Sequence, residues 1–226
     1  MILTEPFTIK NKKMRSIIMI TVFVLSLLNL NASAQTEKLR QALGKGLQQL
    51  GTAKNADDFS ATANYFERIA QAESKQWLPL YYAAYSNLLA GITNSSKSAK
   101  DQYCDKALLQ IEQAGQLSAD NSEVFALTGY IQFMKMSVDP QGRMNLIGQS
   151  TASLDKAKAL NPDNPRPYFI QGQSVFYTPE TFGGGKAAAK PVLSTAVDKF
   201  KTFKPENSLS PNWGAERAAM LLNECK

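Results

Sequence analysis

The sequence predicts an all-α protein built as a stack of antiparallel helix pairs. Apolar residues recur at steps of three and four along the chain, and no stretch shows the alternation typical of a strand. Prolines and asparagines separate these apolar runs, as they commonly do between helices. The runs also resemble one another at a spacing of 43–45 residues, which indicates an internal repeat.

The chain begins with the three parts of a secretory signal peptide. A basic region that ends at Arg15 precedes the apolar run 17–30, and a small-x-small site that ends at Ala34 follows. A helix over that run reaches about 21 Å, short of the ~30 Å hydrocarbon core of a bilayer. We therefore predict a signal peptide over 1–34, cleavage after Ala34 and a periplasmic or secreted protein. An uncleaved membrane anchor is the alternative.

The charge of the mature chain gives little reason to expect a nucleic-acid partner. The formal net charge is +6 for the whole sequence, and removing 1–34, with its four cations and one anion, leaves +3. The remaining basic residues are scattered among acids, as on a solvated surface. We predict no nucleic-acid partner and no stable membrane insertion after signal cleavage. Translation from Met1 or from Met14 gives the same mature chain.

A small residue in the first helix (helix A) of each unit defines the repeat. Ala84, Gly129 and Gly172 each follow an apolar anchor by four residues, and Ala215 stands 43 residues after Gly172. Because a small residue lets two antiparallel helices approach closely, each helix A is predicted to pack against a second helix, helix B. The matched positions of the B helices are Ile69, Ala114, Ala157 and Phe200. A single hairpin cannot bury its apolar face, so the units are expected to stack.

These features resemble the tetratricopeptide repeat, most closely in AKALNPDNPRPYFIQGQ, residues 157–173. The resemblance implies a right-handed stack whose A helices line a concave groove. The period of 43–45 differs from the usual value of about 34, and the full tryptophan–leucine–glycine–tyrosine signature is absent. We expect a mature domain over 35–226 with four units and a C-terminal cap that uses Trp213, Met220 and Leu221. The expected boundaries are 35–74, 75–119, 120–162 and 163–205 for the units and 206–226 for the capping helix.

The stretch TPETFGGGKAAAK, residues 178–190, is predicted to connect helices A and B of the fourth unit. A phosphate-binding P-loop needs a different glycine spacing, a hydroxyl after the lysine and a preceding strand, and none of these is present. A weaker alternative remains, in which the three glycine amides and Lys186 hold an anion near a helix start. The corresponding connections of the second and third units are predicted over 91–101 and 137–145.

The chain offers few groups for catalysis. It contains no histidine, the commonest general base and metal ligand. Cys104 and Cys225 lack the neighbours of a zinc site, and they could form a disulfide or remain free. The acid pair Asp57 and Asp58 falls at an expected helix start, where carboxylates favour the helix dipole. We predict no enzyme activity, no cofactor and no metal site.

Aromatic residues form a second face on the A helices, apart from the core stripe. By the tetratricopeptide resemblance this face lines the concave groove, and rigid aromatic rings suit recognition of a partner. In the alternative, the long A–B connections fold over the face and make it part of the core. The candidate groove residues are Tyr81, Tyr85, Tyr130, Phe133, Phe169 and Phe176.

Two functions from different classes are compatible with these features. The first is an exported scaffold or adaptor that binds a protein or peptide through the concave face of its A helices. The second is a solute-handling component that binds a small molecule. The chain is distantly similar to periplasmic tetratricopeptide-like proteins that accompany TRAP-type transporters, although it lacks the lipobox cysteine common among them.

Overall fold

The computed structural model describes residues 36–226, and their regular structure is helical, so the all-α prediction is confirmed. The predicted signal peptide and its cleavage site lie outside the described residues. Within 36–226 no helix combines the length and the apolar character needed to cross a membrane. Helix α1 covers 36–52, followed by α2 (Ala56–Ala72), α3 (Trp77–Thr93), α4 (Lys97–Leu117), α5 (Ser122–Met136), α6 (Asn145–Leu160), α7 (Pro165–Tyr177), a 3-10 turn (Glu180–Phe182), α8 (Lys186–Thr202) and α9 (Ala215–Glu224).

The chain divides into two units, Met1–Ala42 and Leu43–Lys226. In the first unit the side chain of Glu37 accepts hydrogen bonds from Arg40 and Gln41, with the Glu37–Arg40 ion pair at 2.8 Å. The second unit contains helices α2 to α9 and the last turns of α1. All packing described below lies within this second unit.

Polar side chains fix where four of the helices begin. Asn55, Ser96, Asn121 and Asn164 precede α2, α4, α5 and α7, and the side chain of each accepts a hydrogen bond from a backbone N–H of the first turn. These bonds satisfy donors that the helix itself leaves unpaired. Pro165 then occupies the first position of α7, where its missing N–H costs nothing.

The helices pack as antiparallel pairs, α3 with α4, α5 with α6, and α7 with α8. The small residue predicted in each A helix lies where the pair crosses. A Cβ built at Gly129 would be 2.8 Å from Leu154 Cδ2, and one built at Gly172 would be 2.7 Å from Leu193 Cδ2. Because both leucines are buried core residues, a side chain larger than hydrogen would force the two helices apart.

Neighbouring pairs are joined through equivalent positions of the repeat. Several hydrogen bonds connect residues that are 42 or 43 positions apart in the sequence, close to the 43–45 residues of the predicted repeat. The spacing found in the sequence is thus close to the spacing at which adjacent helix pairs bond to each other. These pairs are Asp101 with Arg143, Ser122 with Asn164, Glu123 with Arg166, and Tyr130 with Gln173.

The ends of three elements differ from the sequence expectation. The connection predicted over 91–101 is only residues 94–96, because the Ser96 cap allows α4 to begin at Lys97. The last helix begins at Ala215, so Trp213 precedes it instead of belonging to it. Leu221 is buried as expected for a capping helix, whereas Met220 is 45% exposed and contributes little to the cap.

Both cysteines are free and buried, so the disulfide alternative is not realised. Burial raises the pKa of the Cys104 thiol to about 11. The Cys225 thiol donates a hydrogen bond to the Leu221 carbonyl within α9. Because both side chains are buried, the two residues serve as small core side chains.

Replacing Gly129 by Ala should destabilise the fold, because the new Cβ would also lie 3.1 Å from the Ser150 carbonyl oxygen. We expect a loss of about 1–2 kcal/mol in the free energy of unfolding, as for other overpacked cores. Gly148→Ala is the matched control, since a Cβ at this helical glycine meets nothing within 4 Å. The control should gain about 0.5–1 kcal/mol from helix propensity. Equal urea midpoints for the two variants would contradict the close crossing.

Candidate functional site

The segment between α8 and α9, residues 203–214, forms no helix and is called the strap here. It lies across the A helices and is held to them by side-chain hydrogen bonds to its backbone. The Tyr82 hydroxyl donates to the Leu209 carbonyl at 2.6 Å, and the Arg166 guanidinium donates to the Pro211 carbonyl. Two carbonyls of the strap are satisfied in this way, although the segment has no regular secondary structure.

Trp213 of the strap is the centre of an aromatic cluster. Its ring stacks on Tyr85, with ring centroids 4.6 Å apart, and lies near-parallel to Tyr130 at 6.0 Å. Phe169 meets the same ring edge-on at 6.4 Å. The indole N–H donates to the Tyr81 hydroxyl at 2.9 Å, so the polar edge of the ring is also satisfied. Trp213 therefore ties together helices α3, α5 and α7.

The strap covers much of the aromatic face that the sequence assigns to a groove. Four of the six candidate residues are buried: Tyr81, Tyr130, Phe133 and Phe169. Tyr85 and Phe176 keep partial exposure. The covering segment is the strap and not one of the A–B connections, which were the alternative considered from the sequence. A partner-binding role for the six residues stays a prediction.

The candidate residues divide between two places. Tyr81, Tyr85, Tyr130 and Phe169 meet around Trp213. Phe176 lies elsewhere, packed against Tyr177 with the Lys186 ammonium 5.9 Å from its ring. Phe133 is buried in α5.

A buried ion pair lies beneath the strap. The Arg166 side chain is completely buried and donates to Glu123 Oε1 at 2.8 Å, while the Tyr81 hydroxyl lies 3.4 Å from Glu123 Oε2. Burial raises the pKa of Glu123 to about 7 from an ordinary 4.5, although Arg166 and Tyr81 favour the charged form. Desolvation of the carboxylate is therefore the dominant electrostatic effect at this position.

Next to Trp213 the strap forms one wall of a cleft of about 350 Å³. The other walls are the end of α1, the start of α2 and the exposed side of α3. Most of the lining is apolar and consists of aromatic rings and leucines, and its polar groups are two tyrosine hydroxyls of α3 and three side chains of the strap. The lining includes Leu47, Leu50, Phe59, Tyr82, Tyr85 and Leu89, and the polar residues of the strap are Ser208, Ser210 and Asn212.

The titratable side chains of this lining are two tyrosines of α3, Tyr82 and Tyr85. Burial raises the pKa of both Tyr82 and Tyr85 above the ordinary value, so both phenols are neutral at physiological pH. No histidine is available in the chain. Among residues 36–226 no group of three His, Cys, Asp or Glu side chains is arranged to hold a metal ion. The lining therefore offers mostly apolar side chains with a few neutral hydroxyl and amide groups.

The glycine-rich connection does not offer an anion site. The amides of Gly183, Gly184 and Gly185 donate to the carbonyls of Glu180, Pro179 and Val175 respectively. All three amides are therefore used within the loop itself. Gly183 and Gly185 have positive φ angles, which explains the glycines by backbone geometry instead of ligand binding.

Sequence reasoning missed the residues that organise this region. Trp213 was assigned to the cap, and Arg166, Glu123, Leu47 and Leu50 were not singled out. One signal was available, because Glu123 and Arg166 carry opposite charges at equivalent repeat positions 43 residues apart. The pattern of apolar residues does not predict that the strap lies on the A helices.

With the geometry described, comparison with known proteins becomes informative. No protein-family model and no curated protein matches the chain. The HusA haemophore from Porphyromonas gingivalis, a solved structure, is similar with a TM-score of 0.71 and 31% sequence identity over 84% of this chain and 92% of that chain. The chain belongs to the HusA haemophore family. This relationship supports the helical fold, whereas no family model supports the tetratricopeptide assignment or the similarity to TRAP-associated proteins.

The titration of Glu123 should make the stability of the protein depend on pH. Since the folded state holds this proton more tightly than the unfolded chain does, the free energy of unfolding should fall as pH rises from about 5 to 8. We expect a loss on the order of 2 kcal/mol for the wild type and a much smaller change for Glu123→Gln. Urea unfolding at pH 5.5 and 8.5 measures the difference. If the free energy of unfolding changed equally with pH in both proteins, a group other than Glu123 would be responsible.

Proposed function

We propose that this protein is an exported carrier that binds haem or a related porphyrin in the cleft beside Trp213. The observation that carries the proposal is a mostly apolar, aromatic-walled cleft in a member of a haemophore family. Binding without catalysis is consistent with the shortage of catalytic groups in the sequence. Export is expected from the signal peptide predicted over 1–34.

The cleft has the features that a porphyrin needs. The volume of the cleft, about 350 Å³, lies at the lower end of the range for small-molecule sites. A bound porphyrin would therefore keep one edge in solvent. The rings of Phe59 and Tyr85 and the side chains of Leu47 and Leu50 offer apolar contact. The hydroxyls of Ser208 and Ser210 can donate hydrogen bonds to propionate groups.

Binding should depend on the porphyrin ring more than on its iron. Histidine is absent, and Tyr82 and Tyr85 are neutral phenols that would have to lose a proton to become phenolate ligands. The sulfur atoms of both cysteines are buried away from the cleft lining. Burial of the apolar ring is then the main source of affinity.

Filling the cleft should abolish binding without disturbing the fold. Gly51 lines the cleft, and a Cβ built there meets nothing within 4 Å, so Gly51→Phe would place a ring in the open space. Gly44→Phe is the matched control, because Gly44 lies in the same helix with equally free space and does not line the cleft. We expect Gly51→Phe to weaken porphyrin binding by at least about tenfold and Gly44→Phe to leave it unchanged.

Absorbance titration of each variant with haem measures the affinities, and circular dichroism checks that both remain folded. Equal binding by Gly51→Phe and the wild type would place the ligand outside this cleft. Absence of saturable binding by the wild type would refute the proposed function.

The metal dependence gives a second prediction. Haem and metal-free protoporphyrin should bind the wild type with dissociation constants within about tenfold of each other, because apolar contact with the ring provides most of the free energy. Titration with both ligands, followed by tryptophan fluorescence, measures this ratio. A large preference for haem would show that an iron ligand contributes, contrary to this account.

A scaffold or adaptor role is the second candidate. It is favoured by the strap, a non-helical segment of this chain that already lies on the A helices and bonds to them through the carbonyls of Leu209 and Pro211. A partner peptide on the same face would have to replace the strap or bind beside it. Cross-linking in cells, compared between the wild type and Tyr85→Ala/Tyr130→Ala, tests this role, and a protein captured only by the wild type would support it.

A further inference from the structure

Arg166 lies outside the lining of the cleft, yet it contacts the strap at three points. Its guanidinium stacks on Phe203 at 5.0 Å and on Trp213 at 5.4 Å, and it donates to the Pro211 carbonyl between them. A single buried side chain thus meets the first residue of the strap and two residues near its end. The contact at Trp213 is the one that reaches the wall of the cleft.

Helix α7 and its cap hold the guanidinium in place from the other side. Arg166 is the second residue of α7, and its backbone N–H is bonded to the Asn164 side chain that caps the helix. Glu123 at the start of α5 pairs with the guanidinium. The position of the cation is therefore fixed by two A helices of neighbouring units.

Burying a guanidinium costs desolvation free energy that an apolar side chain would not cost. A buried arginine is therefore expected to make contacts that an apolar side chain cannot make. Isosteric apolar residues often replace buried ion pairs with no loss of stability. In this protein, Arg166 provides a hydrogen-bond donor for a strap carbonyl and a planar cation for two aromatic faces. Neither contact is possible for leucine or methionine.

We propose that Arg166 is a positioning residue for ligand binding, which fixes the strap and thereby holds Trp213 as the wall of the cleft. This inference rests on the proposed function for its ligand. The position of Trp213, however, can be measured without any ligand. Arg166 acts only through the strap and makes no contact with the bound molecule.

The chain offers a simple spectroscopic reporter, because it has two tryptophans, Trp77 and Trp213. In a Trp77→Phe background, fluorescence quenching by acrylamide reports the exposure of Trp213 alone. Arg166→Met should increase this quenching in the ligand-free protein and weaken zinc-protoporphyrin binding by about tenfold. Arg143→Met is the control, since Arg143 bonds to Asp101 and to the Lys135 carbonyl and not to the strap.

Arg166→Lys provides a second variant in case the methionine variant does not fold. Lysine keeps the positive charge beside Glu123 but lacks the planar fork that reaches Glu123 and the Pro211 carbonyl together. Its Trp213 quenching should also exceed that of the Arg143 control. Circular dichroism confirms that each compared variant keeps its helices.

The two measurements separate the inference from the function on which it rests. Increased quenching with weaker binding supports both. Increased quenching with unchanged affinity overturns the inference while the carrier function stands. Failure of every protein, including the wild type, to bind zinc protoporphyrin refutes the carrier function, and quenching equal to that of the Arg143 control refutes the anchoring by Arg166.

Discussion

The buried guanidinium of Arg166 and the Trp213 ring stacked on it are the contact on which this region of the protein depends. The strap has no helix or sheet to satisfy its backbone, and side chains of the A helices bond two of its carbonyls. Arg166 and Tyr82 provide these donors, and the aromatic face of the A helices provides the surface against which Trp213 packs. The strap thereby covers much of this face and leaves a smaller cleft at its side.

Under the proposed function, that arrangement places a small ligand beside the strap. The strap lies on the aromatic face of the A helices, where Trp213 contacts α3, α5 and α7. What remains open is the space between the strap, the end of α1 and α3. A mostly apolar cleft of about 350 Å³ is of the size and character of small-molecule sites, which is why the proposal takes a small ligand first and a peptide second.

The sequence predicts the helical stack because its determinants are local. Gly129 and Gly172 mark close helix crossings, and a similar spacing reappears in the hydrogen bonds between neighbouring pairs. The aromatic residues of the A helices were also found from periodicity alone. Their burial could not be predicted, because it depends on the path of residues 203–214, which have no periodic pattern. Local sequence does not determine what a segment of turns and prolines contacts, because those contacts form only in the tertiary structure.

The ion pair of Glu123 and Arg166 illustrates the same limit at a single position. Opposite charges one repeat apart indicate that the two residues can meet, but the sequence does not indicate that they are buried. Burial is what gives Arg166 its contacts with the strap and gives Glu123 a raised pKa. The two charges can be identified in the sequence. The burial of the two side chains depends on how all the helix pairs pack.

The most direct test of the account is nuclear magnetic resonance of the protein during titration with zinc protoporphyrin, a diamagnetic ligand. The indole N–H signal of Trp213 and the amide signals of Leu47, Leu50 and Gly51 should shift through the ring current, while the indole signal of Trp77 should stay nearly unchanged. Shifts confined to other exposed apolar residues, such as Tyr177 and Phe182, would contradict a ligand site beside Trp213.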